Sequence, residues 1–298
     1  MIIPPKLKQN DLIAILSPSG RINSNIIDNA KTKLEQKGYR VKILKHAKGN
    51  YYQYAATDSQ RLEDLQNALD NPEISCILCA RGGYGAIRIV DKLNFTEIKK
   101  HPKWVVGFSD ITVLHSAFQN AGIASIHGPM AKSISNDDFI AAKYLFQALE
   151  NNNLEYNFKN HFLNKTGKVK SLLTGGNLSV LAGLLGTPYM PDLKNKILLI
   201  EDLNEYLYKL DRIMWSFKLA GIFKQIKGLV VGGFTDMLDN DNPFGKNAYE
   251  IIAEHVNEYN YPIAFNFSVG HILGNHSVVM GAEAELCVDE SSHLSQKW

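Results

Sequence analysis

The chain contains 298 residues, of which 45% are hydrophobic and 21% charged, as in ordinary globular proteins. Its 32 basic and 30 acidic side chains leave a formal net charge of +2, which is too small for nucleic acid to be an expected partner. The amino terminus, MIIPPKLKQN, lacks the pattern of a secretory signal, and no segment approaches the roughly 18 apolar residues of a membrane span. These features predict a cytoplasmic protein that does not bind membranes.

Apolar runs and helical spacing alternate through the first 150 residues. The runs predict strands over 11–20, 39–46, 74–85, 103–110 and 123–130, and the spacing predicts helices over 23–38, 58–70, 86–93, 111–121 and 137–149. Strands that alternate with helices are typical of a parallel sheet covered on both faces. We therefore predict an α/β amino-terminal domain, residues 1–150, with a doubly wound parallel sheet and helices on both faces.

The second half of the chain has a less regular pattern. Residues 151–170 are polar and rich in asparagine, which favours a linker. The pattern beyond them predicts strands over 196–202 and 228–234, helices over 204–220 and 246–258, and a β pair over 277–289 around Gly281. We expect residues 171–298 to form a smaller, mixed α+β carboxy-terminal domain.

The three cysteines, Cys76, Cys79 and Cys287, are too few for a disulfide framework. Cys76 and Cys79 lie in an apolar strand, where a spacing of three residues puts them on opposite faces. This arrangement favours buried, unreactive thiols over a redox pair. No further ligands stand at the spacing of a zinc site, so the sequence predicts no bound metal.

Three turns, RGGYG, GFSD and IHGP, follow predicted strands and therefore meet at one edge of the predicted sheet. RGGYG lacks the G-x-G-x-x-G spacing of a dinucleotide loop, and its glycines suit a backbone N–H that stabilises an oxyanion. In GFSD, Ser109 is either a helix N-cap or a nucleophile on a sharp turn between strand and helix. The hydrolase elbow G-x-S-x-G is incomplete because Ile111 takes the last position.

A nucleophilic serine requires a base and an acid that orients the base. Spacing alone favours His127 in IHGP and His271 in SVGHILGN equally as the base, whereas His115 lies on an apolar stripe typical of a core residue. Glu201 and Asp202 follow a buried strand, where acids either cap the next helix or hold an imidazole. The residues by themselves leave these alternatives open.

Taken together, the blocks resemble those of the LD-carboxypeptidases, the muramoyltetrapeptide carboxypeptidases that also include the microcin C7 immunity proteins. The blocks run through nearly the whole chain in order: SPSG, RGGYGAIR, GFSDITVLH, HGPM, GGNLSVL, LLIEDLNEYLYKLDR and VGHILGN. The resemblance implies a serine hydrolase with Ser109 as the nucleophile, His271 as the base and Glu201 as the acid. It also implies that the backbone N–H groups of Gly83 and Asp110 form the oxyanion hole.

The resemblance implies an activity as well. A member of this family removes the carboxy-terminal D-Ala from cell-wall tetrapeptides by hydrolysing an L–D amide bond, during cytoplasmic recycling. The resemblance also implies a homodimer that acts on a small peptide and requires no metal or cofactor. Two alternatives are an immunity-type hydrolase of a peptidyl-nucleotide toxin and a non-catalytic muropeptide-binding protein. The resemblance implies that immunity-type members are longer and carry an added loop near the acid. Here IEDLNEYLYKL runs directly into a predicted helix, which disfavours that alternative.

Overall fold

A computed structural model describes all residues of the chain, 1–298. The strands, in chain order, are β1 (Leu12–Leu16), β2 (Arg40–Ile43), β3 (Ile74–Cys79), β4 (Trp104–Gly107), β5 (Ser125–His127), β6 (Asn153–Asn157), β7 (Gly167–Asn177), β8 (Ile197–Leu203), β9 (Gly228–Thr235), β10 (Ile263–Ala264), β11 (Val278–Met280), β12 (Glu283–Val288) and β13 (His293–Lys297). The helices are α1 (Ser24–Gln36), α2 (Asp58–Asp70), α3 (Thr96–Lys100), α4 (Thr112–Asn120), α5 (Ala131–Ser135), α6 (Phe139–Glu150), α7 (Leu178–Leu184), α8 (Leu207–Leu219), α9 (Ile222–Gln225) and α10 (Ala248–Val256). These elements build two sheets.

The first sheet contains six strands in the order β11-β5-β4-β3-β1-β2. β1 to β5 pair in parallel, and only β11 is antiparallel to its neighbour. Ile13 and Ile15 of β1 pack in one core cluster with Ile27 and Leu34 of α1, on one face of the sheet. The alternate residues of β1 pack on the other face, in a second cluster that includes residues of α2 and α4. The predicted α/β fold, a doubly wound parallel sheet with helices on both faces, is confirmed.

The second sheet contains seven strands in the order β10-β9-β8-β7-β12-β13-β6. β7 to β10 pair in parallel, whereas β12, β13 and β6 pair antiparallel, so this half is mixed as predicted. One hydrophobic cluster includes Val106 of β4 in the first sheet and Leu199 of β8 in the second. Because the two sheets share this buried cluster, the residues that follow β4 and β8 are held in a fixed relation to each other.

Three local predictions are wrong. The predicted linker contains β6, which forms an edge strand on β13, with Leu154 and Tyr156 buried between exposed polar residues. The segment 277–289 is not a β pair: β11 joins the first sheet and β12 joins the second. The helix expected over 86–93 is instead two short 3-10 turns, Ala86–Arg88 and Val90–Lys92. In each case a partner distant in sequence, or a local turn, outweighs the periodicity.

Candidate active site

The predicted nucleophile, Ser109, stands on a strained turn at the carboxyl end of β4. Its φ angle is +66°, a left-handed conformation that costs a residue with a Cβ roughly 1–2 kcal/mol. Ser109 begins a 3-10 turn that ends at Ile111 and continues into α4. The N-cap positions are Phe108 for the 3-10 turn and Ile111 for α4, and neither start has a side-chain cap. The N-cap interpretation of Ser109 is therefore wrong, and Ser109 is partly exposed.

The glycines of RGGYG pass against Ser109. A Cβ atom at Gly82 would lie 2.8 Å from Ser109 Oγ and 2.7 Å from Ser109 Cβ, so only glycine fits there. Gly83, the predicted oxyanion donor, comes next, with a φ angle of +105° and an exposed backbone. The N–H groups of Gly82 and Gly83 donate no hydrogen bond within the chain. The close approach of Gly82 was not predicted, although the glycine pair in the sequence was its signal.

The side chain of Asp110 joins three turns. Its buried carboxylate oxygen Oδ2 accepts hydrogen bonds from Ser19 Oγ at 2.6 Å and from the N–H of Ala86 at 2.8 Å. Burial raises the pKa of Asp110, although these donors act in the opposite direction. Ser19 belongs to the turn after β1 and Ala86 follows RGGYG, so Asp110 fixes both turns beside Ser109. The sequence indicated only the backbone N–H of Asp110, and this function of its side chain was missed.

Glu201 and His271 form a short hydrogen bond although they lie 70 residues apart. His271 Nδ1 is 2.7 Å from Glu201 Oε2. The Glu201 side chain is fully buried in β8, and that of His271 remains 17% exposed. A Cβ at Gly270 would lie 2.6 Å from Glu201 Oε2, so the glycine before His271 permits the contact. Burial alone would raise the pKa of Glu201, but the imidazoles of His127 and His271 outweigh it and lower the pKa to about 2.

His127, the other candidate base, lies on the opposite side of the same carboxylate. Its Nε2 is 3.8 Å from Glu201 Oε1, too far for a hydrogen bond, and its side chain is fully buried. Neither ring nitrogen of His127 has a hydrogen-bond partner. His115 is a satisfied core residue, as predicted: its Nε2 donates to the carbonyl of Gly107 at 2.8 Å, and burial lowers its pKa to about 3. Among these histidines, His271 alone combines a short contact to the acid with exposure.

Asp202 is occupied by structural contacts. One carboxylate oxygen accepts a hydrogen bond from Asn177 Nδ2 at 2.9 Å, and the other accepts from the N–H and hydroxyl of Ser179, at the start of α7. Burial raises the pKa of Asp202 to about 6. Of the two acids at the end of β8, only Glu201 therefore faces an imidazole.

His271 and Phe108, the residue before Ser109, line a cleft of about 670 Å³. The ring of Phe108, which precedes Ser109, packs against the ring of His271 with centroids 4.8 Å apart. Ser109 Oγ and His271 Nε2 are not hydrogen-bonded in this structure, and such contacts often tighten only when substrate binds. The fold thus brings all five predicted site residues to one region: Ser109, Asp110 and Gly83 at the edge of the first sheet, and Glu201 and His271 from the second half.

The sequence matches known domains over both halves. Residues 13–128 match the LD-carboxypeptidase N-terminal domain, and residues 170–286 match the LD-carboxypeptidase C-terminal domain. The chain belongs to the LD-carboxypeptidase family. A probable murein peptide carboxypeptidase of Bacillus subtilis (strain 168) is 32% identical over 97% of this chain and 92% of its own length. These matches establish this LD-carboxypeptidase as an enzyme of the serine carboxypeptidase type.

Solved structures agree with this classification. The structure of muramoyltetrapeptide carboxypeptidase from Oxalobacter formigenes is 27% identical, with a TM-score of 0.89 over 96% of this chain and 99% of that chain. A microcin C7 self immunity protein in complex with aspartyl sulfamoyl adenosine has a TM-score of 0.90, covering 100% of this chain and 99% of that chain. Because the latter identity is 20%, it shows a shared fold alone.

Other features of this LD-carboxypeptidase bear on the remaining predictions. Cys76 and Cys79 are buried free thiols that pack in the two different core clusters of the first sheet, on opposite faces as predicted. Burial raises the pKa of both thiols. No group of three or more His, Cys, Asp or Glu side chains is arranged to hold a metal ion. No helix has the length and apolar character that crossing a bilayer requires.

Proposed function

We propose that this LD-carboxypeptidase releases the carboxy-terminal D-Ala from cell-wall tetrapeptides, with Ser109, His271 and Glu201 as its catalytic triad. The observation that carries the proposal is the 2.7 Å contact between His271 Nδ1 and a buried, ionised Glu201, at the cleft that Phe108 lines beside Ser109. A carboxylate on Nδ1 fixes the tautomer in which Nε2 is free to accept a proton. Ser109, on its strained turn, directly follows Phe108, whose ring packs against the ring of His271.

In the proposed reaction, Ser109 Oγ attacks the carbonyl carbon of the diamino acid that precedes D-Ala. His271 Nε2 takes the hydroxyl proton, and the backbone N–H groups of Asp110 and Gly83 stabilise the oxyanion. The amide C–N bond then breaks, and His271 gives the proton to the departing amine of D-Ala. Water attacks the acyl-enzyme, His271 takes a proton from it, and the ester bond breaks to restore the Ser109 hydroxyl. Glu201 stays ionised throughout and stabilises the imidazolium.

The connection after the acid supports a peptide substrate over a peptidyl-nucleotide toxin. β8 ends at Leu203 and α8 begins at Leu207, so only residues 204–206 lie between them. This connection lacks the added loop that the family resemblance implies for immunity-type members. We further propose that the enzyme works as a cytoplasmic homodimer in peptidoglycan recycling, for which light scattering of the purified protein tests the dimer.

The decisive experiment offers the enzyme a tetrapeptide that ends in D-Ala and a pentapeptide that ends in D-Ala-D-Ala. Mass spectrometry of the products should show loss of one residue from the tetrapeptide and little reaction of the pentapeptide, because the scissile bond joins an L to a D centre. The Ser109→Ala variant is the control and should release nothing. Faster release from the pentapeptide would overturn the proposed stereochemical preference.

A further inference from the structure

A second concavity lies at the carboxyl edge of the first sheet. This basic pocket is defined by the side chains of Arg21, Lys48, Arg81 and Lys132, and it has a volume of about 540 Å³. Its other lining residues include the start of α1, and none is acidic. In a chain whose net charge is only +2, such a concentration of positive charge is local and specific. Its chemistry suits an anionic group.

Three of the four cations in the basic pocket have no acidic partner. Lys48 pairs with Asp28, but Arg21, Arg81 and Lys132 form no salt bridge. Neutral oxygens orient the two guanidinium groups: Arg21 Nη1 donates to Asn50 Oδ1 at 2.6 Å, and Arg81 Nη1 donates to the carbonyl of Arg21 at 3.1 Å. These contacts hold the arginines without neutralising them. A planar guanidinium held in this way is suited to bind a carboxylate through two parallel hydrogen bonds.

The basic pocket adjoins the proposed catalytic site at two points. Arg81 immediately precedes Gly82, which contacts Ser109, and a Cβ at Gly83 would lie 3.7 Å from Arg81 Nη2. Lys132 lines both the basic pocket and the cleft that contains His271. The basic pocket therefore borders the glycine segment beside Ser109 and shares a lysine with the cleft that contains His271.

The topology also favours a ligand at this position. The strand order of the first sheet includes β2-β1-β3-β4-β5, so the chain adds β2 on one side of β1 and β3 on the other. Doubly wound sheets bind ligands beyond the carboxyl ends of two such adjacent strands, here β1 and β3. Arg21 lies in the segment after β1, and Arg81 lies in the turn after β3. The N–H of Gly20 donates to the carbonyl of Gly82 at 3.0 Å and joins these two turns. The basic pocket thus occupies the switch point of the sheet.

We propose that the basic pocket binds the carboxy-terminal carboxylate of the peptide substrate, with Arg81 as its main contact. This inference rests on the proposed function. The terminal carboxylate is only three covalent bonds from the scissile carbonyl of a carboxypeptidase substrate, so its binding group must lie beside the nucleophile. Arg81 meets that requirement through Gly82 and Gly83. Recognition of this charge would confine cleavage to the last residue of a peptide.

The test compares three peptides: a tetrapeptide with a free carboxy-terminal D-Ala, the same peptide amidated at that carboxyl, and the same peptide amidated instead at an internal carboxyl. The variants are Arg81→Gln, Arg81→Lys and the control Arg40→Gln, an arginine at the start of β2, on the amino edge of the sheet. We expect Arg81→Gln to raise KM for the free acid roughly 10- to 100-fold, the effect of losing a charged hydrogen bond, with a smaller change in kcat. Arg81→Lys should recover part of the loss.

The double comparison isolates the contact. Terminal amidation should weaken the wild-type reaction about as much as Arg81→Gln does, and the two changes together should cost little more than either alone. Arg40→Gln should behave like the wild type. Equal effects of Arg81→Gln on the acid and the terminal amide would overturn the proposal. Non-additivity of Arg81→Gln with the internal amide would also overturn it, because the pocket would then bind the internal carboxylate.

A binding titration separates this inference from the proposed function. Ser109→Ala cannot turn over the peptide, so its affinity for the free acid and the terminal amide is measured directly. Tighter binding of the acid, lost in Ser109→Ala/Arg81→Gln, supports the pocket even if the wild-type enzyme proves inactive on tetrapeptides. If Ser109→Ala binds both peptides equally, or neither, the carboxylate assignment is wrong even when the wild-type enzyme is active.

Discussion

Replacing Glu201 by glutamine tests the proposed triad most directly. The carboxylate is fully buried, accepts the Nδ1 hydrogen of His271 at 2.7 Å and has a pKa lowered to about 2, so it is ionised at neutral pH. Glu201→Gln keeps the size of the side chain but removes this charge. The glutamine amide can also donate to Nδ1, which favours the tautomer whose Nε2 carries a hydrogen and cannot accept the Ser109 proton. The variant would therefore keep the positions of the side chains, but His271 could no longer act as the base.

The loss follows from the wrong tautomer and the unstabilised imidazolium. We expect kcat for D-Ala release to fall about 10⁴-fold, which corresponds to about 5 kcal/mol of activation free energy. The rate at which a fluorophosphonate labels Ser109 should fall in parallel, because Glu201 acts before the acyl-enzyme forms. The control is Glu250→Gln, in the N-terminal capping box of α10. A decrease in kcat of less than tenfold, in a variant shown to be folded, would remove Glu201 from the mechanism.

The same substitution has a consequence for stability. The pKa of Glu201 is lowered from 4.5 to about 2 by its two imidazole neighbours, so the unfolded chain binds a proton between these values and the folded chain does not. The stability that Glu201 contributes is therefore present above about pH 4.5 and is lost as the pH falls toward about 2. Urea unfolding across this range should show a shallower acid loss for Glu201→Gln. Parallel curves for both proteins would mean that Glu201 titrates normally.

Three further outcomes are expected. His271→Ala should lower kcat about 10⁶-fold, whereas His127→Ala should leave fluorophosphonate labelling of Ser109 intact; the opposite labelling pattern would make His127 the base. Gly83→Val should lower kcat roughly 10²- to 10³-fold with the circular dichroism spectrum retained, and near-normal turnover would place the oxyanion donor elsewhere. Asp110→Ala leaves two buried donors unpaired and should reduce the free energy of unfolding in urea by about 2–6 kcal/mol, about 1–3 for each donor; an unchanged urea midpoint would contradict that role.

The sequence by itself determined the elements whose hydrophobic pattern is local. The helix predicted over 58–70 is α2 without any change in its bounds, because its apolar positions and its capping residues all lie within the helix or next to it. The parallel order of the first half followed from the alternation of strands and helices. This alternation also placed RGGYG and GFSD at one edge of the sheet, since carboxyl ends of parallel strands meet there, and so pointed to Ser109.

Only the tertiary structure decided which distant residues meet. His127 and His271 are indistinguishable by spacing, and the family resemblance, not the pattern, favoured His271. In the fold, both imidazoles flank Glu201. His271 lies 2.7 Å from the carboxylate and is partly exposed, whereas His127 lies 3.8 Å away and is fully buried. β11 and β12 likewise join different sheets although two residues separate them. Pairing between strands and contacts between side chains depend on partners far along the chain, and a periodicity read over a few residues carries no information about them.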